Sequence, residues 1–150
     1  MKYGISRAVL DQILAHAAEN PAVEVCGLLL GEGRTILSAL PAANVAATPA
    51  SRFELDPVAL LAVHKAQRGG GPEMLGHYHS HPNGVACPSP RDAEAAISGT
   101  LWMIVARHEA HLYESVDIGP VAGRFRACGL EIGPGRVAQA SLPRHKGRDS

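Results

Sequence analysis

At 150 residues, the chain has the length of one domain and is long enough to bury a hydrophobic core. Hydrophobic residues make up 46% and charged residues 19% of it, a composition that excludes an intrinsically disordered chain. The 14 Lys and Arg residues are balanced by 14 Asp and Glu residues, so no net charge favours nucleic acid or an anionic membrane as a partner.

The apolar segments and the cysteines predict a cytoplasmic protein. No apolar run approaches the roughly 20 residues that a membrane-spanning helix requires. The N-terminal segment MKYGISR lacks the basic and then apolar pattern of a signal peptide. Cys26, Cys87 and Cys128 are odd in number and widely spaced, which argues against a disulfide framework and favours a reducing compartment.

The first half of the chain predicts two helices that flank a β-hairpin. Ser6 is a good helix cap before apolar residues at helical spacing, and Pro21 follows the end of that helix. Asp56 followed by Pro57 predicts the start of a second helix. The predicted elements are a helix over residues 6–20, strands over residues 24–31 and 34–40, a loop over residues 41–52 and a helix over residues 57–67.

The second half predicts more strands and one short helix. These elements are a strand over residues 74–81, a loop over residues 82–88, a helix over residues 89–98 and strands over residues 102–107, 111–115 and 121–132. Because helices and strands alternate, we expect an α/β or α+β domain around one sheet, over residues 1–133. The polar and basic tail over residues 134–150 is predicted to be mobile.

Three histidines, His77, His79 and His81, alternate in the segment GHYHSHP. On a strand their side chains share one face, with neighbours roughly 6.6 Å apart along the strand and the outer two roughly 13 Å apart. Because a zinc–nitrogen bond is only about 2 Å long, two adjacent histidines converge on one ion but three do not. The ligand pair is therefore His77 with His79, or His79 with His81.

The residues that follow favour the second pair. Pro82 and Asn83 end the strand just after His81, so His79 and His81 lie near its C-terminal end. In open sheets with helices, ligand sites collect at that end of the strands. His77 lies deeper in the strand, and we interpret it as a core residue or as a residue that supports a ligand.

A third ligand from another element is expected, and Asp92 fits this role. It lies eleven residues after His81, on the first turn of a predicted helix, beyond a loop that is able to turn back. The segment from Ser89 to Asp92 is also a typical helix start, with a serine cap and an acidic residue in the first turn. The two interpretations are compatible, because the same helix start is able to direct Asp92 towards the metal.

Read together, these positions form the pattern HSH, seven residues, Ser89, two residues and Asp92, with Glu24 upstream beside CGLLLG. This pattern closely resembles the signature of the JAMM, or MPN-plus, zinc metalloproteases. The likeness extends from the first helix to about Tyr113 and includes YHSHP and the stretch over residues 44–57. It implies a single α/β domain whose curved, mixed β-sheet is flanked by helices, as in the cytidine-deaminase-like group, and the chain looks like the short prokaryotic members.

By matching position, the resemblance implies that His79, His81 and Asp92 bind one Zn²⁺ ion and that water fills the fourth place. Three protein ligands leave an open position, which is typical of a catalytic zinc. Glu24 is implied to be the general acid/base, and Ser89 is implied to stabilise the oxyanion. The alternative for Glu24 is a solvated carboxylate at the start of a strand.

Cys87 lies in the loop between His81 and Asp92 and supports two interpretations. The simpler one is a partly buried loop thiol with no chemical role. The other is that its thiolate reaches the zinc as an extra, regulatory ligand, because thiolates bind zinc well. Only its proximity in sequence supports the second interpretation.

The resemblance implies a peptidase or isopeptidase that acts at the C-terminus of a ubiquitin-like or sulfur-carrier protein of the β-grasp fold. An extended tail of small residues is able to add beside a sheet edge and pass a narrow channel. The alternatives are a zinc-binding interaction module with little hydrolysis and a peptidase associated with cell walls or phage tails. Neither a nucleic-acid nor a membrane partner is expected, and the oligomeric state stays open.

Overall fold

The computed structural model describes residues 1–133, and the tail over residues 134–150, which we predict to be mobile, lies outside them. The described residues form seven β-strands and three α-helices. The strands are β1 (Lys2–Ser6), β2 (Cys26–Glu32), β3 (Thr35–Ala42), β4 (Glu73–Ser80), β5 (Leu101–Ala106), β6 (Glu109–Gly119) and β7 (Gly123–Gly133). The helices are α1 (Arg7–Glu19), α2 (Pro57–Arg68) and α3 (Pro90–Ala95).

The strands form one mixed sheet that closes into a barrel in the order β1, β3, β2, β4, β5, β6, β7. Strand β1 runs parallel to both of its neighbours, and β4 runs parallel to β5. The remaining pairs are antiparallel. The expected curved, mixed sheet with helices is therefore observed, and its curvature reaches closure.

Strand β1 was not predicted, because its residues carry a weak strand signal. Lys2 and Gly4 both disfavour strands by intrinsic propensity. Its partners are distant in sequence: Gly4 pairs with Thr35 on β3, and the whole strand pairs with β7 near the other end of the described chain. Tertiary pairing therefore creates this strand and closes the barrel.

The predicted helix starts are confirmed by side-chain hydrogen bonds. The Ser6 hydroxyl accepts from the backbone N–H three residues later at 3.2 Å, and the Asp56 carboxylate accepts from the N–H two residues later at 3.0 Å. Ser89 caps α3 in the same way at 3.1 Å. Helix α3 ends earlier than predicted, because Ala96 turns to an extended conformation and packs into the core.

The core has two parts that lie on opposite faces of the sheet. Strand β5 is buried along its whole length. Its residues belong alternately to one and to the other part of the core. Met103 and Val105 join the cluster that contains Ile13 of α1. Trp102 and Ile104 join the cluster beside α3. Within residues 1–133, no helix has the length and apolar character needed to cross a membrane.

One of the two tightest backbone approaches in this sheet lies at Gly76 on β4 and generates a stability prediction. A Cβ atom there would lie within 3 Å of the backbone of Leu101, which is a rigid part of the adjacent strand. We expect Gly76→Ala to lower the free energy of unfolding by roughly 2–4 kcal/mol, because the two strands must separate. Denaturant unfolding measures this change.

Gly4→Ala is the matched control, since a Cβ atom on that strand residue meets nothing within 4 Å. We expect its free energy of unfolding to stay within roughly 0.5 kcal/mol of the original. Equal stability of the two variants would contradict the close packing of β4 against β5.

Candidate metal centre

Three structural elements bring the polar residues of the site together. His79 lies near the end of β4, and His81 follows the strand directly. In the antiparallel register of β2 and β4, Cys26 pairs with His79, which sets Glu24 across from His81. Asp92 reaches the same point from the first turn of α3. The four polar residues Glu24, His79, His81 and Asp92 are all buried.

The imidazole rings of His79 and His81 converge on the Asp92 carboxylate. Their Nε2 atoms are 3.0 Å apart. One carboxylate oxygen lies 3.3 Å from Nε2 of His79, and the other lies 3.2 Å from Nε2 of His81. Ligand atoms of Glu24, His79 and His81 all lie within 4.8 Å of one another. The two Nε2 atoms therefore have the Asp92 carboxylate within 3.3 Å and the Glu24 carboxylate within 4.8 Å, and the group of mutually close atoms includes Glu24 but not Asp92.

The hydrogen bond of the His81 ring and the short distance between the two rings show that these residues fit a cation. Nδ1 of His81 lies 2.8 Å from the carbonyl oxygen of Val85, which accepts only, so Nδ1 carries the proton. In the neutral ring, Nε2 then presents its lone pair to the centre. Nε2 of His79 lies only 3.0 Å from Nε2 of His81. A proton or a cation between the two nitrogen atoms is therefore needed to offset the repulsion between their lone pairs. The donor set of two imidazoles and one carboxylate suits a divalent metal.

The electrostatics of the site keep Asp92 ionised and shift the pKa values of the two imidazoles in opposite directions. Burial alone would raise the pKa of Asp92, but hydrogen bonds from the two imidazoles hold it below the usual range. Burial lowers the pKa of His79. At His81 burial acts in the same direction, but the hydrogen bonds with Asp92 and Val85 outweigh it and raise the pKa.

Glu24 differs from Asp92 in its protonation, because it has no comparable donors. Burial raises the pKa of Glu24 to about 7, and the neighbouring charges of His81 and Asp92 act in opposite directions. A carboxyl group with such a pKa is able to accept and return a proton near neutral pH. The solvated carboxylate that we considered for Glu24 does not agree with this burial.

The backbone of Glu24 is held by a loop whose role the sequence analysis did not identify. The N–H of Glu24 donates to the carbonyl of Pro49 at 2.8 Å, and its carbonyl accepts from the Asn44 side chain at 2.7 Å. Asn44 also bonds to the backbone of Arg52 and Glu54, which folds residues 44–55 back over the site. An asparagine in a polar loop gives no sequence signal for this role.

Phe53, on the same loop, packs against His79 of the candidate centre. Its ring stacks on His79 with centroids 4.2 Å apart and planes inclined by 20°. His77 lies behind it against Trp102, with centroids 4.3 Å apart. Burial, followed by the nearby His79, lowers the pKa of His77 to about 3, so this ring is neutral. These contacts agree with the interpretation of His77 as a core or supporting residue.

Two cavities meet over the centre and form one cleft. The first has about 380 Å³ and is lined by His81, the 82–83 turn and the start of α3. The second has about 250 Å³ and extends between the 51–55 segment and α3 to Phe53, His77 and Trp102. Both cavities are lined by Glu24, Ser51, Ser89 and Arg91. A chain segment that follows this cleft would pass directly over the polar centre.

Cys87 is exposed and lies apart from the group of converging ligand atoms. Its neighbour in space is Tyr113, whose pKa is raised to about 12 by burial and by the nearby thiol. The Tyr113 hydroxyl donates to the carbonyl of Ala86 at 2.9 Å, so this loop is tied to β6. The regulatory role of Cys87 stays a prediction that its position does not favour.

Comparison with known proteins agrees with this arrangement. The family described as prokaryotic homologs of the JAB domain matches residues 6–119. A desampylase of Haloferax volcanii is 42% identical over 92 residues, which are 57% of this chain and 66% of the relative. A probable TtuB-protein conjugate cleaving protease of Thermus thermophilus is 38% identical over 92 residues, or 61% of this chain and 62% of the relative. The chain thus spans less than two thirds of the length of either relative.

A tail tip assembly protein K of Escherichia phage N15 is 33% identical over 105 residues, which are 69% of this chain but only 40% of that protein. A solution structure of a protein from Desulfitobacterium hafniense has a TM-score of 0.74 at 25% identity, covering 89% of this chain and 94% of its own. A JAB1/MPN domain protein from Archaeoglobus fulgidus has the same fold, with a TM-score of 0.57 at 19% identity over 87% of this chain and 97% of its own. The chain belongs to the prokaryotic homologs of the JAB domain.

Proposed function

We propose that this chain is a zinc-dependent peptidase or isopeptidase that hydrolyses an amide bond at the C-terminus of a ubiquitin-like or sulfur-carrier protein. His79, His81 and Asp92 are the proposed zinc ligands. Glu24 is the proposed general acid/base, and Ser89 is the proposed stabiliser of the oxyanion. The observation that carries this proposal is the convergence of both Nε2 atoms on Asp92, with the buried Glu24 carboxylate beside them.

The roles of the two carboxylates follow from their surroundings. Asp92 stays ionised, as a permanent metal ligand must, whereas the pKa of Glu24 is raised by burial to about 7. Bound zinc would supply an acidified water molecule and would polarise the scissile carbonyl group. Glu24 then accepts a proton from the attacking water and delivers it to the departing amine.

Ser89 is suited to hold the negative oxygen because of how it caps α3. Its hydroxyl oxygen accepts the N–H of Asp92 at 3.1 Å, so the hydroxyl hydrogen is free to donate. Its own N–H donates to the Asp92 carboxylate at 2.9 Å, which holds both residues in place. The helix cap and the catalytic role are therefore compatible in one residue.

The names of the relatives support the proposed substrate class. One is a desampylase and another is a probable protease of TtuB-protein conjugates, so both names denote the removal of a conjugated protein. The two cavities over the centre share four lining residues, so together they offer an elongated surface that suits an extended tail. A relative from a phage tail supports the alternative of a peptidase in tail assembly, which would cleave a peptide rather than a ubiquitin-like tail.

The metal ligands are tested by the zinc content of purified variants. We expect His79→Ala, His81→Ala and Asp92→Ala to lose most of the about one zinc ion per chain, because two ligands hold the ion weakly. We expect Glu24→Gln to retain it. Elemental analysis of the folded proteins measures this. Zinc loss in Glu24→Gln equal to that in Asp92→Ala would make Glu24 a ligand and exclude its role as the base.

The acid/base role is tested by turnover of a ubiquitin-like fusion that is cleaved after its C-terminal glycine. We expect Glu24→Gln to lower kcat roughly 100-fold to 10,000-fold, because the amide is unable to transfer the proton. Glu94→Gln is the control, an exposed carboxylate on α3 that should leave kcat unchanged. Retained zinc and partner binding without turnover in the original protein would instead support the interaction module.

A further inference from the structure

Three buried ring nitrogens beside the candidate metal centre have no hydrogen-bond partner among the protein groups of residues 1–133. They are Nδ1 of His77, Nδ1 of His79 and Nε1 of Trp102. The side chains of His79 and Trp102 are almost completely buried. Native proteins rarely leave a buried polar atom unpaired, because it has lost its hydrogen bonds to bulk water. Three such atoms in one place therefore indicate a shared partner.

The rings that carry these nitrogens form one cluster. The ring centroids of His77 and Trp102 are 4.3 Å apart, those of His79 and Trp102 are 5.7 Å apart, and those of the two histidines are 5.9 Å apart. Because a hydrogen bond is about 2.9 Å long, nitrogens up to roughly 5.8 Å apart are able to share one oxygen atom. The spacing of the rings thus suits a single small partner.

The donors and acceptors of the cluster indicate which partner this is. The indole nitrogen of Trp102 only donates. If His79 holds a metal through Nε2, the proton of its neutral ring lies on Nδ1, which then donates as well. Nδ1 of His77 is able to accept when the proton of that ring lies on Nε2. A water molecule matches this set, because it accepts two hydrogen bonds and donates the third.

The cavity beside the cluster has room for this molecule. His77, Trp102 and Phe53 all line the smaller cavity, whose volume is about 250 Å³. One water molecule occupies about 30 Å³ in the liquid, and a buried one typically makes three hydrogen bonds to polar groups that are otherwise unpaired. Phe53 packs on both histidines, with centroids 5.2 Å from His77 and 4.2 Å from His79, and adds an apolar cover.

We propose that one buried water molecule bridges Nδ1 of His77, Nδ1 of His79 and Nε1 of Trp102, and that His77 positions His79 for the metal through this water. The inference rests on the proposed role of His79 as a metal ligand. It adds a polar site behind the centre to the proposed function, and it assigns a role to a histidine that is not itself a ligand.

The two ligand histidines differ in how their second ring nitrogen is held. A ligating histidine usually donates from that nitrogen to an oxygen atom, which fixes its tautomer and its orientation. For His81 the oxygen is the carbonyl of Val85, 2.8 Å from Nδ1. Within residues 1–133, no protein group does this for Nδ1 of His79. The bridging water would give His79 the support that the Val85 carbonyl gives His81.

This support matters because Asp92 competes for the proton of the His79 ring. One oxygen of its carboxylate lies 3.3 Å from Nε2 of His79. A proton on Nε2 would satisfy this oxygen but would block the nitrogen lone pair that binds a metal. A water that accepts from Nδ1 favours the tautomer with the proton on the opposite side of the ring. Losing the water should therefore weaken metal binding without removing any ligand.

The first test measures the zinc Kd of variants by competition with a chelator of known affinity. We expect His77→Phe to raise Kd about 10-fold to 100-fold, because phenylalanine keeps a ring of similar size but accepts no hydrogen bond. His77→Asn should restore most of the affinity, since its amide places a polar group near the position of Nδ1. His64→Asn is the matched control, an exposed histidine on α2, and should leave Kd unchanged.

A double variant tests whether His77 and Trp102 act through the same water. Trp102→Phe removes the other fixed contact and should also raise Kd. If one water serves both residues, the double variant loses less affinity than the product of the two single losses. A loss equal to that product would overturn the shared water. An unchanged Kd in His77→Phe would overturn the positioning role.

The second test observes the water directly by NMR in the zinc-loaded original protein. Trp102 is the only tryptophan of the chain, so its indole N–H signal is unambiguous. We expect this proton and the Nδ1 proton of His79 both to show a nuclear Overhauser effect to a long-lived water. In His77→Phe the Nδ1 proton should exchange faster with the solvent. Absence of both effects in the original protein would overturn the bridge.

The two levels of the proposal fail in different ways. If His79→Ala retains its zinc, the proposed ligand set fails, and the indole signal of the original protein still decides whether the water is present. If His79→Ala loses zinc but His77→Phe binds it as tightly as the original protein, only the role of His77 fails. Thermal unfolding shows that each variant is folded. If His77→Phe does not fold, His77→Asn and the NMR of the original protein decide.

Discussion

Strand β4 is hydrogen-bonded along both edges, and the candidate metal centre depends on this pairing. Its antiparallel register with β2 sets Glu24 opposite His81. Its parallel register with β5 requires a crossover connection, because parallel strands cannot be joined by a hairpin. That crossover contains α3, whose first turn carries Ser89 and Asp92. The two edges of one strand therefore gather the proposed ligands, the proposed base and the proposed oxyanion donor, although up to 68 positions separate them.

The burial that this pairing imposes gives each ionisable group a separate state. An ionised carboxylate is costly to bury unless it is paired and hydrogen-bonded, and Asp92 has two imidazoles and a backbone N–H for this purpose. Glu24 is also buried, but it lacks these donors, so its pKa is raised to about 7. The fold thus keeps one of two neighbouring carboxylates ionised and allows the other to exchange a proton. Metal-assisted hydrolysis needs both kinds of group.

Helix α3 is short, but its first turn combines several tasks. Ser89 caps the helix, Asp92 faces the imidazoles and Arg91 faces the cleft. Because successive residues of a helix point in different directions, neighbouring positions meet different parts of a substrate. The loop over residues 44–55 forms the opposite wall of the cleft, where Phe53 stacks on His79. The substrate tail of the proposed function would therefore lie between one helix start and one loop.

The amino-acid sequence by itself determined the local features of this protein. The caps at Ser6, Asp56 and Ser89 act within a few residues, and the spacing of the histidines indicates one face of a strand, so both are visible without a fold. Only the tertiary structure decided the pairing of β1, the closure of the barrel, the hydrogen bond from Asn44 to Glu24 and the position of Arg91 in the cleft. These features depend on contacts between segments that are distant along the chain, and the local sequence carries no physical record of such contacts.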